Sequence, residues 1–577
     1  MKTLMLGNEA LARGAYEAGV AVVSSYPGTP STEVTEYSSD YPEMYVEWAP
    51  NEKVALETAF GASLGGARAL SCMKHVGLNV AADPLYTASY TGVNGGLVIV
   101  VADDPGMHSS QNEQDSRMHA RGSQVPMLEP ADSQEAVDFM KLAYEISEKY
   151  DTPVIIRTTT RMAHARSLVE KSERAEIARK PYQKDIMKYV MMPGMAKGRH
   201  IVVENRMKTL AEDACSMPIN RIERGDDSVG VICSGAAYQY VKEAAPEVSV
   251  LKLGMVNPLP RKLIEDFAKS VKTLYVIEEL EPVFEEQIRS WGIDCLGKEL
   301  TGRQGELSTR KVMQILGHTP PAFEAAGNLP GRPPVMCPGC PHRGTYYVLG
   351  KMHLRATGDI GCYTLGALKP NEAIDACLCM GASIGMSHGL EKATGGESSR
   401  NTVAVIGDST FVHSGITGLV NAVYNHGHST IMILDNSTTA MTGHQPNPTV
   451  GYDIRRQETY KLDIETLCRA VGVNDVKTVD PYDMDKLEEA LKDSLSRDEV
   501  SVIIARRPCA LLDKSKHQPY KVDSDKCRAC GMCLKVGCPA IERGEDKKAH
   551  INPALCVGCD LCARMCHFDA IGGPECK

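Results

Sequence analysis

The sequence predicts a multidomain α/β protein, and three observations lead to this prediction. The chain has 577 residues, 43% of them hydrophobic, which at about 150 residues per domain is enough for several buried cores. Short runs rich in β-branched residues alternate with helical patterns almost throughout, as in parallel sheets with crossover helices. Of 20 cysteines, nine fall between residues 527 and 577, which indicates a C-terminal module that uses thiolates.

The composition excludes several classes of protein. The formal net charge is -10 and the basic residues are scattered, so a nucleic-acid partner is not expected. The first twenty residues are interrupted by charged side chains, and no later run approaches the roughly 18 apolar residues of a membrane span. We therefore expect a cytoplasmic protein without a membrane segment. In that reducing compartment, clustered cysteines bind metal or transfer electrons more often than they form disulfides.

The N-terminal segment carries four strand-like runs separated by helical patterns. A helix is predicted over 8–18, where Gly19 ends it. The predicted strands are 20–24, 69–73, 97–102 and 153–158. The stretch 161–208 is polar and lacks clear periodicity, so it is expected to be a connector.

Two further α/β segments follow before the cysteine-rich end. Strands are predicted at 229–233, 248–253 and 273–277, and then at 402–406, 430–434 and 500–505. The Pro/Gly-rich stretch 327–341 marks a boundary between these segments, and 511–520 is typical of a linker. The resulting prediction is four domains, at 1–195, 196–326, 327–512 and 513–577.

Eight of the C-terminal cysteines form two spaced tetrads. The first has the pattern C-x2-C-x2-C-x4-C-P and the second C-x2-C-x2-C-x3-C, which match the bacterial two-cluster ferredoxin pattern apart from one extra residue in the first. In that pattern the remote fourth cysteine ligates the other cluster. The predicted [4Fe-4S] ligand sets are Cys527, Cys530, Cys533 and Cys566 for one cluster, and Cys556, Cys559, Cys562 and Cys538 for the other. Structural zinc is the alternative, because C-x2-C pairs also occur in zinc ribbons.

A second candidate site follows two predicted parallel strands. Asp408 comes just after the strand in TVAVIGDST, and Asn436 comes just after the next strand, 28 residues later. Neighbouring parallel strands end on the same edge of a sheet, where α/β proteins bind ligands. An Asp, an Asn amide oxygen and a main-chain carbonyl, that of Thr438, could hold Mg2+ together with phosphate oxygens. The alternative is a turn with an Asx cap.

These residues resemble a known family. Gly407, Asp408 and a later Asn resemble the thiamine diphosphate motif, although Ser409 replaces the second Gly of its common form. The segment SYPGTPSTE at 25–33 resembles the Tyr-Pro-x-Thr-Pro-Ser segment of 2-oxoacid:ferredoxin oxidoreductases. With NEKVALETAFGASLGG, MKHVGLNVAADPL, MCPGCPHRG, GDIGCYTLG and MTGHQPNP, the resemblance extends over nearly the whole chain. It is most similar to the large subunits of the arylpyruvate branch, the indolepyruvate:ferredoxin oxidoreductases.

The resemblance implies a fold and roles for individual residues. It implies two thiamine diphosphate-binding-type parallel-sheet domains, a transketolase C-terminal-like α/β domain between them, and a terminal two-cluster ferredoxin domain. Gly407, Asp408, Ser409, Asn436 and Thr438 would bind the diphosphate and Mg2+. Glu52 would hydrogen-bond the aminopyrimidine ring and Thr29 would lie by the substrate. Their alternatives are a solvated first-turn Glu and an ordinary turn threonine.

The resemblance also implies a third [4Fe-4S] cluster near the thiamine ring. Its four scattered ligands in the family match Cys337, Cys340, Cys362 and Cys509. The alternative is that C-P-G-C is a structural turn and the other two are buried thiols.

The implied reaction joins these sites. An arylpyruvate and coenzyme A would give arylacetyl-CoA and CO2, with the electrons passing through the clusters to ferredoxin, in aromatic amino-acid fermentation or its reverse. A small subunit would complete an α2β2 enzyme. The alternatives are a relative that acts on pyruvate or branched 2-oxoacids, and an electron-transfer subunit with a degenerate cofactor pocket, which Ser409 alone supports.

Overall fold

The computed structural model describes residues 2–322, 327, 329–514 and 518–573. It divides into two compact units, Met1–Ala325 and Ala326–Lys577. Each unit is built on parallel sheets with crossover helices, so the predicted α/β class is confirmed.

The first unit contains a seven-stranded sheet in the order β12-β6-β7-β5-β4-β2-β3. Its strands are parallel except β12, which pairs antiparallel with β6. Their bounds are β2 Val22–Ser25, β3 Tyr45–Trp48, β4 Ala69–Lys74, β5 Leu97–Asp103, β6 Met127–Leu128, β7 Val154–Thr159 and β12 Met255–Asn257. The four strands predicted in this segment are β2, β4, β5 and β7. Strand β12 comes from beyond residue 195, so the first two predicted domains share this sheet.

Helices cover this sheet, and an outer two-stranded sheet pairs β1 Lys2–Leu6 with β8 Arg166–Glu170. The helices are α1 Gly7–Glu17, α2 Thr32–Ser39, α3 Glu52–Leu64, α4 His75–Val80, α5 Ala82–Thr91, α6 Ser116–Ser123, α7 Ser133–Tyr150, α8 Thr160–His164, α9 Ile186–Tyr189 and α10 Pro193–Asp213.

The prediction of a connector over 161–208 is wrong at both ends. Strand β8 pairs with β1 near its start, and helix α10 begins in its second half and runs for 21 residues. Only Val203, Arg206 and Leu210 are buried along it, so the sequence has no apolar stripe that would signal a helix. Arg206 attaches the helix by donating to the carbonyl oxygens of Ser89 and Asp151, each at 2.9 Å.

The first unit also holds a four-stranded sheet in the order β13-β10-β11-β9. The strands are β9 Arg221–Glu223, β10 Asp226–Ser234, β11 Val248–Leu253 and β13 Thr273–Ile277, of which the last three were predicted. The helices of this segment are α11 Gly235–Ala244, α12 Arg261–Lys269, α13 Val283–Ser290, α14 Lys298–Thr301 and α15 Thr309–Ile315. A buried ion pair, Arg117 Nη1 to Glu278 Oε2 at 2.6 Å, joins α6 to the end of β13.

The second unit is built on a six-stranded parallel sheet in the order β15-β14-β16-β17-β19-β18. The strands are β14 Arg355–Gly358, β15 Ala376–Cys377, β16 Thr402–Gly407, β17 Thr430–Asp435, β18 Asp475–Val479 and β19 Ser501–Arg506. The helices are α16 His342–Lys351, α17 Ala382–Ala393, α18 Asp408–Thr410, α19 Ile416–Tyr424, α20 Ile464–Ala470 and α21 Met484–Leu495. Short 3-10 helices span Cys362–Ala367 and Glu397–Arg400, and a π-helical turn spans Phe411–Gly415.

The cysteine-rich end of this unit has little regular structure. Two small antiparallel pairs form, β20 Lys521–Val522 with β23 Ile571–Gly572, and β21 Ile541–Arg543 with β22 Ala549–Ile551. A 3-10 helix at Met532–Val536 and α22 Leu561–Arg564 complete it. Residues 515–517 of the predicted linker lie outside the described residues.

Candidate functional site

The predicted diphosphate residues lie at the carboxyl edge of the six-stranded sheet. Strands β16 and β17 run parallel with Gly407 opposite Leu434, so Asp408 and Asn436 both follow the ends of neighbouring strands. Both side chains are buried, with 2% of Asp408 and 7% of Asn436 exposed. The π-helical turn follows within the next few residues, and such turns are frequent at functional sites.

This edge holds buried polar oxygens that have no hydrogen-bond partner among the residues that the structure describes. Asp408 Oδ1 accepts from the Ser409 main-chain N–H at 2.6 Å, whereas Asp408 Oδ2 and Thr438 Oγ1 are buried without a hydrogen bond. Burial and the neighbouring Asp435 carboxylate raise the pKa of Asp408 to about 8. An unpaired buried carboxylate oxygen is costly, and a bound cation removes that cost. Carboxylate, amide and hydroxyl oxygens are the ligands that Mg2+ takes, so these residues fit a magnesium diphosphate.

Ser409, which departs from the family pattern, is accommodated at this edge. Its Oγ accepts a hydrogen bond from Thr439 Oγ1 at 3.0 Å. The serine side chain therefore ties the turn after β16 to the loop after β17. The substitution adds a contact between the two loops that carry Asp408 and Asn436, which weakens the case for a degenerate pocket.

Two buried aspartates were missed by sequence reasoning. Asp359, just after β14, accepts from the main-chain N–H groups of Gly381 at 2.8 Å and Ser383 at 3.1 Å. Asp435, the last residue of β17, accepts from Arg506 Nε at 2.8 Å. Each stands at the carboxyl end of a parallel strand, so the rule that selects Asp408 would also have found them.

Glu52 is the first residue of α3 and is buried, with 4% of the residue exposed. The Asn51 side chain caps this helix by accepting from the Val54 main-chain N–H at 2.9 Å. The Glu52 side chain packs on Gly77 in α4, where an added Cβ would lie 2.5 Å from Glu52 Oε1. The alternative of a solvated first-turn glutamate is wrong.

Thr29 lies in the loop between β2 and α2 and is half-buried. Its carbonyl oxygen accepts from Ser109 Oγ at 3.2 Å. Beside this loop, Gly28 packs on the Lys74 side chain, and the Lys74 Nζ donates to the Ser109 carbonyl at 3.2 Å. Burial lowers the pKa of Lys74. Thr29 and Lys74 therefore both form hydrogen bonds with Ser109.

The eight C-terminal cysteines surround two separate cavities. One cavity is lined by Cys538, Cys556, Cys559 and Cys562. A second cavity is lined by Cys527, Cys530, Cys533 and Cys566. The structure therefore groups the thiols in the two predicted sets, with Cys538 and Cys566 exchanged between the tetrads.

The thiols of each set lie close enough to affect one another. Burial and the thiols of Cys566 and Cys530 raise the pKa of Cys533 to about 11, and burial with Cys559 and Cys538 raises the pKa of Cys562. Bound iron would stabilise the thiolates that this repulsion disfavours. In the described parts of the chain, no three His, Cys, Asp or Glu side chains converge on one ion position.

Comparison with known proteins places the chain in a family. Residues 13–224 match the family model "Pyruvate flavodoxin/ferredoxin oxidoreductase, thiamine diP-bdg", and residues 359–505 match "Thiamine pyrophosphate enzyme, C-terminal TPP binding domain". The indolepyruvate oxidoreductase subunit IorA of Pyrococcus abyssi is 43% identical over 99% of this chain and 96% of its own length. The same subunit of Archaeoglobus fulgidus is 40% identical over 99% and 97%, and that of Methanothermobacter thermautotrophicus 41% over 100% and 98%. The chain belongs to the IorA family. It is a subunit of a 2-oxoacid oxidoreductase with thiamine diphosphate-binding domains.

The remaining four predicted cysteines of this IorA family member lie together in the second unit. Burial, with the thiols of Cys362 and Cys337 adding to it, raises the pKa of Cys340 to about 12. Burial, followed by Cys509 and Cys337, raises the pKa of Cys362 to about 11. The group adjoins the cofactor edge, because the Cys509 main-chain N–H donates to the Asn436 carbonyl oxygen at 2.9 Å.

No helix in the described residues of this IorA family member is long and apolar enough to cross a membrane.

Proposed function

We propose that this chain is the large subunit of a cytoplasmic arylpyruvate:ferredoxin oxidoreductase. An arylpyruvate anion, coenzyme A and two oxidised ferredoxins would give an arylacetyl-CoA, CO2, one proton and two reduced ferredoxins. The carbon–carbon bond to the carboxylate breaks and the thioester bond forms. The two electrons leave one at a time through [4Fe-4S] clusters.

The contact between Asn436 and Cys509 carries this proposal. One residue belongs to the candidate magnesium diphosphate edge and the other to a set of four neighbouring thiols, and a 2.9 Å main-chain hydrogen bond joins them. A cluster held at Cys337, Cys340, Cys362 and Cys509 would take electrons beside the place where the 2-oxoacid is oxidised. The two C-terminal cavities would hold the clusters that pass them on to ferredoxin.

The chain's own residues would hold and orient the reactants. Asp408, the Asn436 side chain and the Thr438 carbonyl would bind Mg2+, and the turn at Gly407 and Ser409 would approach the diphosphate. Glu52 would hold a proton shared with the aminopyrimidine ring, and Thr29 would contact the substrate. Bound thiamine diphosphate supplies the electron sink that accepts the electrons of the breaking carbon–carbon bond.

The substrate class is supported by relatives rather than by a pocket. Six relatives that align over nearly the whole chain are each called indolepyruvate oxidoreductase subunits. Because the relatives are named as subunits, their name supports a second subunit, and we propose that it is smaller and forms an α2β2 assembly with this chain.

The test is ferredoxin reduction by the purified two-subunit enzyme without oxygen. We expect reduction with indolepyruvate that requires coenzyme A, and slower reduction with pyruvate and with branched 2-oxoacids. Arylacetyl-CoA should form at one molecule per two ferredoxins reduced. Release of an aldehyde as the sole product without coenzyme A would overturn the proposal, and faster turnover of pyruvate would overturn the substrate class.

A further inference from the structure

Arg343 is a buried cation whose hydrogen bonds all go to main-chain carbonyls. It lies in the first turn of α16, directly after the CPGCP segment, and only 2% of it is exposed. Its Nε donates to the Cys337 carbonyl at 3.0 Å and its Nη1 to the Val536 carbonyl at 3.3 Å. The Nη atoms also donate to the carbonyls of Gly537 and Met336.

No carboxylate pairs with Arg343 among the residues that the structure describes. Two other buried arginines show the usual arrangement, because Arg117 pairs with Asp115 and Glu278, and Arg157 pairs with Asp103 and Glu129. A buried charge is stabilised by hydrogen bonds and by an opposite charge nearby. Arg343 has the hydrogen bonds, and an anion beside it would supply the opposite charge that the side-chain carboxylates do not provide.

Cysteine thiols from two of the proposed clusters surround Arg343. It lines one cavity with Cys538, Cys556, Cys559 and Cys562, and the Asp560 carboxylate at the same cavity is paired with Arg564 at 3.0 Å. Its guanidinium also donates a hydrogen bond to the carbonyl of Cys337, which belongs to the set of thiols beside Asn436. Burial lowers the pKa of Arg343, and thiols of both sets, Cys538 and Cys559 from one and Cys340 and Cys337 from the other, oppose that shift.

We propose that Arg343 is the shared counter-ion of these two clusters and raises the reduction potential of both. Each added electron makes a thiolate-bound cluster more negative, so a cation fixed between two clusters stabilises their reduced states. Arg343 would thereby act as a positioning residue for electron transfer, coupling the cluster beside the cofactor to the next one. The inference rests on the proposed function, because it requires the two clusters.

The test is an EPR-monitored redox titration of the two-subunit holoenzyme. In Arg343→Gln, we expect the two clusters that Arg343 faces to become harder to reduce by at least tenfold in the one-electron equilibrium, which is about 59 mV. The cluster at Cys527, Cys530, Cys533 and Cys566 is the internal control and should keep its potential. Arg261→Gln is the matched control, since its guanidinium is exposed and pairs with Glu265 within α12. It should shift none of the potentials.

The outcomes separate the inference from the proposed function. Full iron content with all potentials unchanged in Arg343→Gln would overturn the counter-ion role, and so would an equal shift of all three clusters. If Arg343→Gln loses iron, the cluster potentials of Arg343→Lys are the deciding measurement. Lysine keeps the positive charge but makes fewer hydrogen bonds. Wild-type potentials in Arg343→Lys would support the counter-ion role. A tenfold shift of the one-electron equilibrium toward the oxidised clusters in that variant would contradict it. A wild-type enzyme without clusters would instead contradict the proposed function.

Discussion

Cys566 lines the same cavity as Cys527, although the sequence places it only four residues after Cys562, which lines the other cavity. The chain therefore crosses from one site to the other at Cys538, and it returns to the first site at Cys566. Each site takes three cysteines from one loop and one from the other.

This exchange predicts which cluster each remote cysteine supports. Cys566→Ser should remove or convert the cluster of the Cys527 loop, and Cys538→Ser the cluster of the Cys556 loop, with loss of up to about four iron atoms per chain in each case. Iron analysis with EPR of the reduced enzyme measures both effects. If Cys566→Ser instead removed the cluster of the Cys556 loop, the assignment of the two cavities would be wrong.

Gly77 lies against the Glu52 side chain, so a substitution at Gly77 can displace the Glu52 carboxylate without replacing Glu52. An alanine Cβ at Gly77 would lie 2.5 Å from Glu52 Oε1, so Gly77→Ala should move the carboxylate away from its position. We expect turnover to fall by roughly 100-fold, as small displacements of catalytic groups do, with the iron content unchanged. Gly61→Ala in α3 is the control, because an added Cβ there meets no atom within 4 Å. Equal turnover of the two variants would argue against a catalytic role for Glu52.

Asp408 predicts a loss of cofactor that leaves the clusters in place. Asp408→Asn keeps the shape of the side chain but removes the negative charge that would face Mg2+. Thiamine diphosphate affinity should fall by at least tenfold, since even indirect contacts to a metal are worth 10–100-fold. Bound thiamine and iron can be measured on the same sample, with exposed Asp498→Asn as the control. Retained thiamine in Asp408→Asn would place the diphosphate elsewhere.

The ion pair between Arg117 and Glu278 predicts a stability effect in the first unit. Both side chains are 1% exposed, and Arg117 also pairs with Asp115 at 2.6 Å. Arg117→Met should cost about 3–5 kcal/mol, because it leaves two carboxylates buried without their cation. The measurement is the thermal unfolding of the whole chain followed by circular dichroism. Adding Glu278→Gln should recover part of the loss, and strict additivity of the two substitutions would show that they do not interact.

Local patterns predicted the parts of the fold that depend on neighbouring residues. Strands β16 and β17 are uninterrupted apolar runs that end in Gly-Asp and Asp-Asn, so both the sheet and Asp408 with Asn436 could be read from the sequence. The cysteine spacing predicted the ligand sets for a similar reason, since one short loop supplies three members of each.

Long-range contacts could not be predicted in this way. Strand β12 joins the first sheet by pairing with β6, more than 120 residues earlier in the chain. Helix α10 has no apolar stripe that a sequence pattern could reveal. Polar contacts attach it instead, such as the hydrogen bond from Arg206 to the Ser89 carbonyl. The partners of Arg343 at Val536 and Gly537 lie 193 and 194 residues away, so no local pattern could indicate its position between two sets of thiols.

The central claim is that this chain both oxidises a 2-oxoacid and receives its electrons on its own clusters. The most direct measurement mixes the oxidised two-subunit enzyme with indolepyruvate and coenzyme A, without oxygen or ferredoxin, and follows CO2 and the EPR signal of reduced clusters together. We predict two reducing equivalents on the clusters for each CO2 released in the first turnover. Release of CO2 with no reduced cluster would contradict the account.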